Sequence, residues 1–205
     1  MAQDDTSPRM PFDPTKTPTV FLQDGTCTLL RPLTPDDRNR ITEAFARLSP
    51  ESTYFRFWTR FRDLNPEFIE RLCTPHEQNH ITWILVLPDE DSIPGIGGGS
   101  FWRDSSDPTR AEASFTVADE FQGQGVGTIL LAVLWQHARL LGITRFVGHV
   151  LDSNLVMRAW WDALGATAVE IQRGWELTLH LDEDLLPDSP ATQSLKRWLA
   201  FMQTM

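Results

Sequence analysis

Val117-Ala118-Asp119-Glu120-Phe121-Gln122-Gly123-Gln124-Gly125-Val126-Gly127-Thr128 joins a strand-like run, Arg110–Ala118, to a helical one, Val126 to Leu141. In that helix Ile129, Leu130, Val133, Leu134 and Leu141 form a broad apolar face, and Gly142 suits its C-terminal end. A helix N-terminus presents unpaired N–H groups and a partial positive charge, and glycines let backbone come close to a bound anion. The stretch therefore reads as a cradle for a pyrophosphate. A P-loop would need Lys-Ser/Thr after the last glycine, and Val126-Gly127-Thr128 has no lysine. A dinucleotide fingerprint counted from Gly123 meets Thr128 where its third glycine belongs. A tight turn with no ligand is the bland alternative, but alternate glycines at 123, 125 and 127 are costly in chain entropy.

Outward from the loop, the organisation is uneven. Val20–Leu22 and Thr26–Arg31 are short strands around an Asp24-Gly25 turn. Thr34-Pro35-Asp36-Asp37 opens a helix with the stripe Ile41, Phe45, Leu48; Ser49-Pro50-Glu51 opens a second, through Phe61; Asn65-Pro66-Glu67 opens a third, ending near Leu72. Ile81–Leu87, Gly95–Trp102 and Arg110–Ala118 follow as strands. After the loop helix come a strand at Arg145–Val150, a helix at Asn154–Leu164 closed by Gly165, and strands at Ala168–Ile171 and Trp175–Leu181. Strand and helix alternate only in the second half, which predicts a mixed sheet rather than a doubly wound parallel one. Residues 182–205 differ in kind: an acidic linker (Asp182, Glu183, Asp184, Asp188) leads to a helix with Leu195, Trp198, Leu199 and Met202 on one face. Such a helix packs on its own domain or on a dimer mate.

Composition narrows the class. The 205 residues carry a formal net charge of −10 and a pI near 4.9, against a nucleic-acid partner and in favour of a cationic or neutral one. The two cysteines, Cys27 and Cys73, form no CxxC pair, so neither a disulfide framework nor a zinc ribbon is expected. No apolar run reaches the length of a membrane span, because Gln136, His137 and Arg139 break the longest. Residues 1–18, with four prolines and no apolar block, read as a disordered lead-in without a signal peptide, which leads to an expected cytoplasmic location.

Val117 to Thr128 resembles the acyl-CoA signature of the GNAT superfamily of N-acyltransferases, Q/R-x-x-G-x-G/A after a strand ending V-x-x-x-F/Y. Asp152-Ser153-Asn154 with Met157, Leu164 and Gly165 resembles the next motif of that superfamily, and Arg31 to Asp37 its opening strand and helix. Ser49–Phe57 is similar to the S-x-E-S-x-Y-x-R-F of bacterial protein-lysine acetyltransferases. The likeness covers roughly residues 26–181, so that residues 19–181 form the expected catalytic domain. It implies an α/β (in some schemes α+β) fold: a mixed, mostly antiparallel sheet with flanking helices and a splayed central pair, Arg110–Ala118 and Arg145–Val150. Acetyl-CoA would lie with its pantetheine arm along Phe115, Thr116 and Val117. Its pyrophosphate would sit on backbone from Gln122, Gly123, Gln124, Gly125, Val126, Gly127 and Thr128, with Asn154 touching the arm from the far side. An amine would be the acceptor, a small molecule or a protein lysine.

An alkylamine of pKa about 10.4 is neutral in only about one molecule in a few thousand at pH 7, so acylation gains from a positioned base. Glu112, ten residues before Gln122, is the candidate, at the position where the resemblance puts the glutamate base. Its parity neighbours Ser114 and Thr116 are polar, while Ala113, Phe115 and Val117 face the other way. The alternative is an exposed strand glutamate without a role. Many members of the superfamily place a tyrosine, as general acid, seven residues after the asparagine of the second motif. Here that position is Trp161, and the only tyrosine is Tyr54. No acid is assigned. No metal is expected either: His76 and His80 share i,i+4 spacing only if helical, and Pro75 argues against that. His137 and His149 read as satisfied internal or edge residues. The rival functions are an acyl-CoA-binding module without catalysis and an interaction subunit.

Overall fold

The computed structural model describes residues 17–58, 65–74, 78–88 and 95–204. Eight strands form one sheet: β1 (Thr19–Phe21), β2 (Cys27–Pro32), β3 (His80–Val86), β4 (Gly97–Arg103), β5 (Arg110–Val117), β6 (Arg145–Leu151), β7 (Thr167–Ile171) and β8 (Gly174–His180). Their order is β1-β2-β3-β4-β5-β6-β8-β7. Every neighbouring pair is antiparallel except β5 with β6. The mixed, mostly antiparallel sheet is the one expected.

Three helices, α1 (Arg38–Ala46), α2 (Pro50–Phe57) and α3 (Pro66–Cys73), lie between β2 and β3 in the chain. Their starts follow the capping chemistry of the sequence. Ser49 Oγ accepts the Ser52 amide at 3.1 Å, and Asn65 Oδ1 accepts the Glu67 amide at 2.9 Å, with proline in the first turn of each helix. Thr34 caps a short 3-10 turn that runs into α1, and buried Asp37 there takes two 2.7 Å hydrogen bonds from Arg31. α2 is shorter than expected: it ends at Phe57, where Trp58 turns into the left-handed region at φ 59°. Phe61, the expected end, and His76 fall outside the described residues.

The opposite face of the sheet carries α4 (Val126–Leu140), α5 (Leu155–Ala163) and α6 (Pro190–Met202). α4 is apolar nearly all round because it is covered twice, by the sheet and by α6. The tail helix packs on its own domain: Leu195, Leu199 and Met202 join the main core, and Gln136 Nε2 donates to the Leu199 carbonyl at 3.3 Å. Trp198 is only partly buried. No helix among the described residues is long and apolar enough to cross a membrane.

Candidate active site

Past Val117 the chain makes a short 3-10 turn, Asp119–Phe121, and then two left-handed residues, Gly123 at φ 74° and Gly125 at φ 89°. A side chain at either position would force a Cβ against the following carbonyl. Gly125 is the N-cap of α4, and its carbonyl accepts the amides of Thr128 (3.0 Å) and Ile129 (3.1 Å). The amides of Val126 and Gly127 have no acceptor within the helix, as geometry requires of a first turn. No acid occupies that turn, so nothing there offsets the positive end of the helix dipole. The loop fits an anionic pyrophosphate.

Side chains brace the loop. Gln122 Nε2 lies 3.3 Å from the Val117 carbonyl and 3.2 Å from Asp119 Oδ1; Gln124 Nε2 donates to the Glu120 carbonyl at 3.2 Å. Asp119 in turn accepts the Ser49 amide (2.9 Å), the Ser49 hydroxyl (3.1 Å) and the Ser52 hydroxyl (2.6 Å). Partial burial opposes its ionisation, but these hydrogen bonds outweigh it and hold the carboxyl below its usual range. The glutamines of the motif thus act on the loop itself.

The ladder between β5 and β6 stops early. Arg110, Ala111 and Glu112 pair with Arg145, Phe146 and Val147, and no pair follows. β5 stays paired with β4 as far as Val117, and β6 with β8 as far as Leu151. The two central strands therefore part after Glu112, leaving one edge of Phe115, Thr116 and Val117 on an open gap. Alternation along β5 separates the two faces. Phe115 joins the core with Leu130 and meets the Trp160 ring edge-on at 5.4 Å, on the side of α4. Ser114 and Thr116 border the cleft under α1 and α2.

Asn154 begins α5, beyond the end of β6, and its Oδ1 accepts the Met157 amide at 3.2 Å as the helix cap. Trp161 is buried against Gly148 so closely that a Cβ there would lie 2.7 Å from the indole. An indole in the core stands where the resemblance expects a tyrosine hydroxyl. Tyr54 is held elsewhere: its hydroxyl accepts from Arg173 at 3.1 Å.

Glu112 is the last residue of β5 to pair with β6, and by strand parity it shares the cleft face of Ser114 and Thr116. Its Oε1 lies 3.6 Å from His149 Nδ1, and His149 Nε2 lies 3.3 Å from Glu176, which takes a 3.0 Å bond from Arg110. The contact with His149 holds Glu112 below its usual range despite desolvation, with the charges of His149, Arg56 and Arg110 helping. The same contact pushes the imidazole up, against its own desolvation and with help from Glu176. Arg56 reaches in from α2, donating from Nη2 to Ser114 Oγ at 3.0 Å, and Ser114 Oγ lies 3.1 Å from Ser100 Oγ. Reading the sequence missed His149 and Arg56 as site residues. His149 shares the parity of Val147, which sits opposite Glu112, and that register is its only signal. His80 stacks on Trp102 at 3.5 Å, and burial pushes it down to about 4. Among the described residues no three His, Cys, Asp or Glu side chains gather as a metal site.

Residues 28–167 match the family model described as Acetyltransferase (GNAT) domain. Acetyltransferase Pat of Mycolicibacterium smegmatis is 32% identical over 160 residues, which is 78% of this chain and 47% of that protein. The chain thus spans about half the length of this relative. The crystal structure of the GNAT domain of S. lividans PAT superposes with a TM-score of 0.73 at 26% identity, covering 80% of this chain and 96% of that one. The fold recurs, at a TM-score of 0.57 and 22% identity over 78% of this chain and 98% of that one, in yncA from Salmonella typhimurium, a structure with its cofactor acetyl-CoA. A family match over more than half the chain, on a sheet that parts beside a glycine-rich helix start, has one meaning: this chain belongs to the GNAT acetyltransferase family.

Proposed function

We propose that the chain transfers an acetyl group from acetyl-CoA to a primary amine by direct attack on the thioester, with Glu112 as general base. The observation that carries this reading is the parting of β5 and β6 immediately after Glu112. A thioester threaded between the parted strands would run from the α4 face, where the loop amides gather, to the face where Glu112 stands. Acetyl-CoA supplies an activated acyl carbon. The amides of Val126 and Gly127, with the end of the α4 dipole, hold its pyrophosphate. The free edge of Phe115–Val117 offers strand-type hydrogen bonds to the pantetheine amides, and Asn154 stands across the gap.

Glu112 is ionised at neutral pH and half-exposed, so it can take a proton from an incoming ammonium directly or through one water. A protein lysine is the acceptor that the similarity of Ser49–Phe57 to the protein-lysine branch favours. No side chain is assigned as the acid for the departing thiolate, because the indole N–H of Trp161 donates hydrogen bonds but is far too weak an acid to give up its proton. That one feature favours the second reading, an acyl-CoA-binding module without turnover. The two separate in one assay: thiol release from acetyl-CoA with lysine peptides, read beside the mass of the peptide. Acetylated peptide supports the proposal; binding of CoA with no acetylation of any amine sinks it.

A further inference from the structure

The cleft on the α1–α3 side of the sheet encloses about 610 Å³, open solvent included. Its walls are apolar, with Ile41 and Phe45 from α1, Leu72 from α3 and Ile84 from β3, and Gly98 leaves its floor low. One ionisable side chain lines it among the described residues, and that is Arg56. The guanidinium lies 5.2 Å from the centre of the Phe57 ring and 5.8 Å from that of Phe68, and donates to Ser114. Among the described residues no carboxylate pairs with it. Glu112 attracts it from a distance but is turned to His149 at 3.6 Å.

A guanidinium has five donors in a planar fork, and a cation held among apolar groups is stabilised by an anion that takes several of them. Burial lowers Arg56 to about 10, which leaves it a full cation at neutral pH. We propose that Arg56 anchors a carboxylate carried by a substrate of this enzyme, at the far end of the acyl group or on the acceptor beside its amine. The inference rests on the acyl-transfer reading above, because Ser114, two residues past Glu112, places Arg56 against the strand that borders the gap. The Ser100–Ser114 hydroxyl pair, bonded to each other at 3.1 Å, leaves one O–H as a further donor, and the apolar walls limit competition from water. The net charge of −10 does not oppose this at close range. Exposed charges are screened beyond about 8 Å at physiological salt, so the local cation sets the field in the cleft.

The test compares kcat/KM in two arms. For the acyl group, succinyl-CoA is set against butyryl-CoA with one amine. For the acceptor, a lysine peptide with a neighbouring glutamate is set against its glutamine version, with acetyl-CoA as donor. One arm should favour the charged member by about 10- to 100-fold, the usual worth of a hydrogen-bonded ion pair, and that arm names the source. Arg56→Met should bring the ratio to about one while CoA affinity, read by calorimetry, stays. If that variant does not fold, Arg56→Lys, which loses the fork, should cut the preference about tenfold. Ratios near one in both arms for the wild type, or a preference that survives these substitutions, overturn the anchor. Failure of the wild type to bind CoA, or to acylate any amine, overturns the underlying reading instead.

Discussion

The Asp119 carboxylate accepts the Ser52 hydroxyl at 2.6 Å, and Gln122 Nε2 reaches the same oxygen at 3.2 Å. Helix α2 and the glycine loop thus share one hydrogen-bond node, although 67 residues separate Ser52 from Asp119. Asp119→Ala removes the acceptor for three donors on Ser49 and Ser52 and leaves Gln122 Nε2 only its longer contacts with the Val117 carbonyl and Ser52. We predict a weakening of acetyl-CoA binding by about 5- to 50-fold, the worth of one or two charge-assisted hydrogen bonds. Calorimetry checks it, and unchanged affinity in a folded variant would show the node to be ornamental to the loop.

Gly125 combines a left-handed backbone with the N-cap of α4. Gly125→Glu adds strain at that φ and a negative charge at the place proposed for phosphates. Acetyl-CoA binding should fall below detection at micromolar ligand while the circular dichroism stays that of the wild type. Retained affinity would remove the cradle from the proposal.

For the proposed base, Glu112→Gln keeps size and loses proton acceptance. Turnover at pH 7 should drop about 10²- to 10⁴-fold with acetyl-CoA affinity nearly unchanged. The deficit should shrink as pH rises, since more acceptor amine is already neutral. Wild-type turnover by this variant would leave positioning alone to account for the rate.

His149 offers a test of sign. Its contact lowers Glu112 and raises His149 itself. With the imidazolium gone, in His149→Gln, the carboxyl moves back up towards its ordinary range. The acid limb of the pH–rate profile, where Glu112 gains its proton, should then shift to higher pH. An acid limb that stays in place, or moves down, would separate His149 from the base.

The loop was legible in the sequence because everything it needs is local: three alternate glycines, a strand before them and an apolar helix after. Helix starts at Ser49 and Asn65 were legible for the same reason. The parting of β5 and β6 was not, since strand parity reads alike whether or not a neighbour is paired; only resemblance supplied it. Arg56 lay in plain view inside Ser49–Phe57. Its meaning depends on α2 lying across Ser114, a contact 58 residues away that no periodicity encodes. Trp161 marked a departure from the family pattern, and the structure adds that Gly148 makes room for it.

The gap after Glu112 also bears on the order of events. On the proposed reading, donor and acceptor reach it from opposite faces of a sheet that is closed everywhere else between them. Neither has to leave for the other to enter, so either may bind first and no acylated form of the protein has to carry the group across. The two doorways can also drift apart in evolution, one face keeping its grip on the carrier while the other is recut for a new recipient.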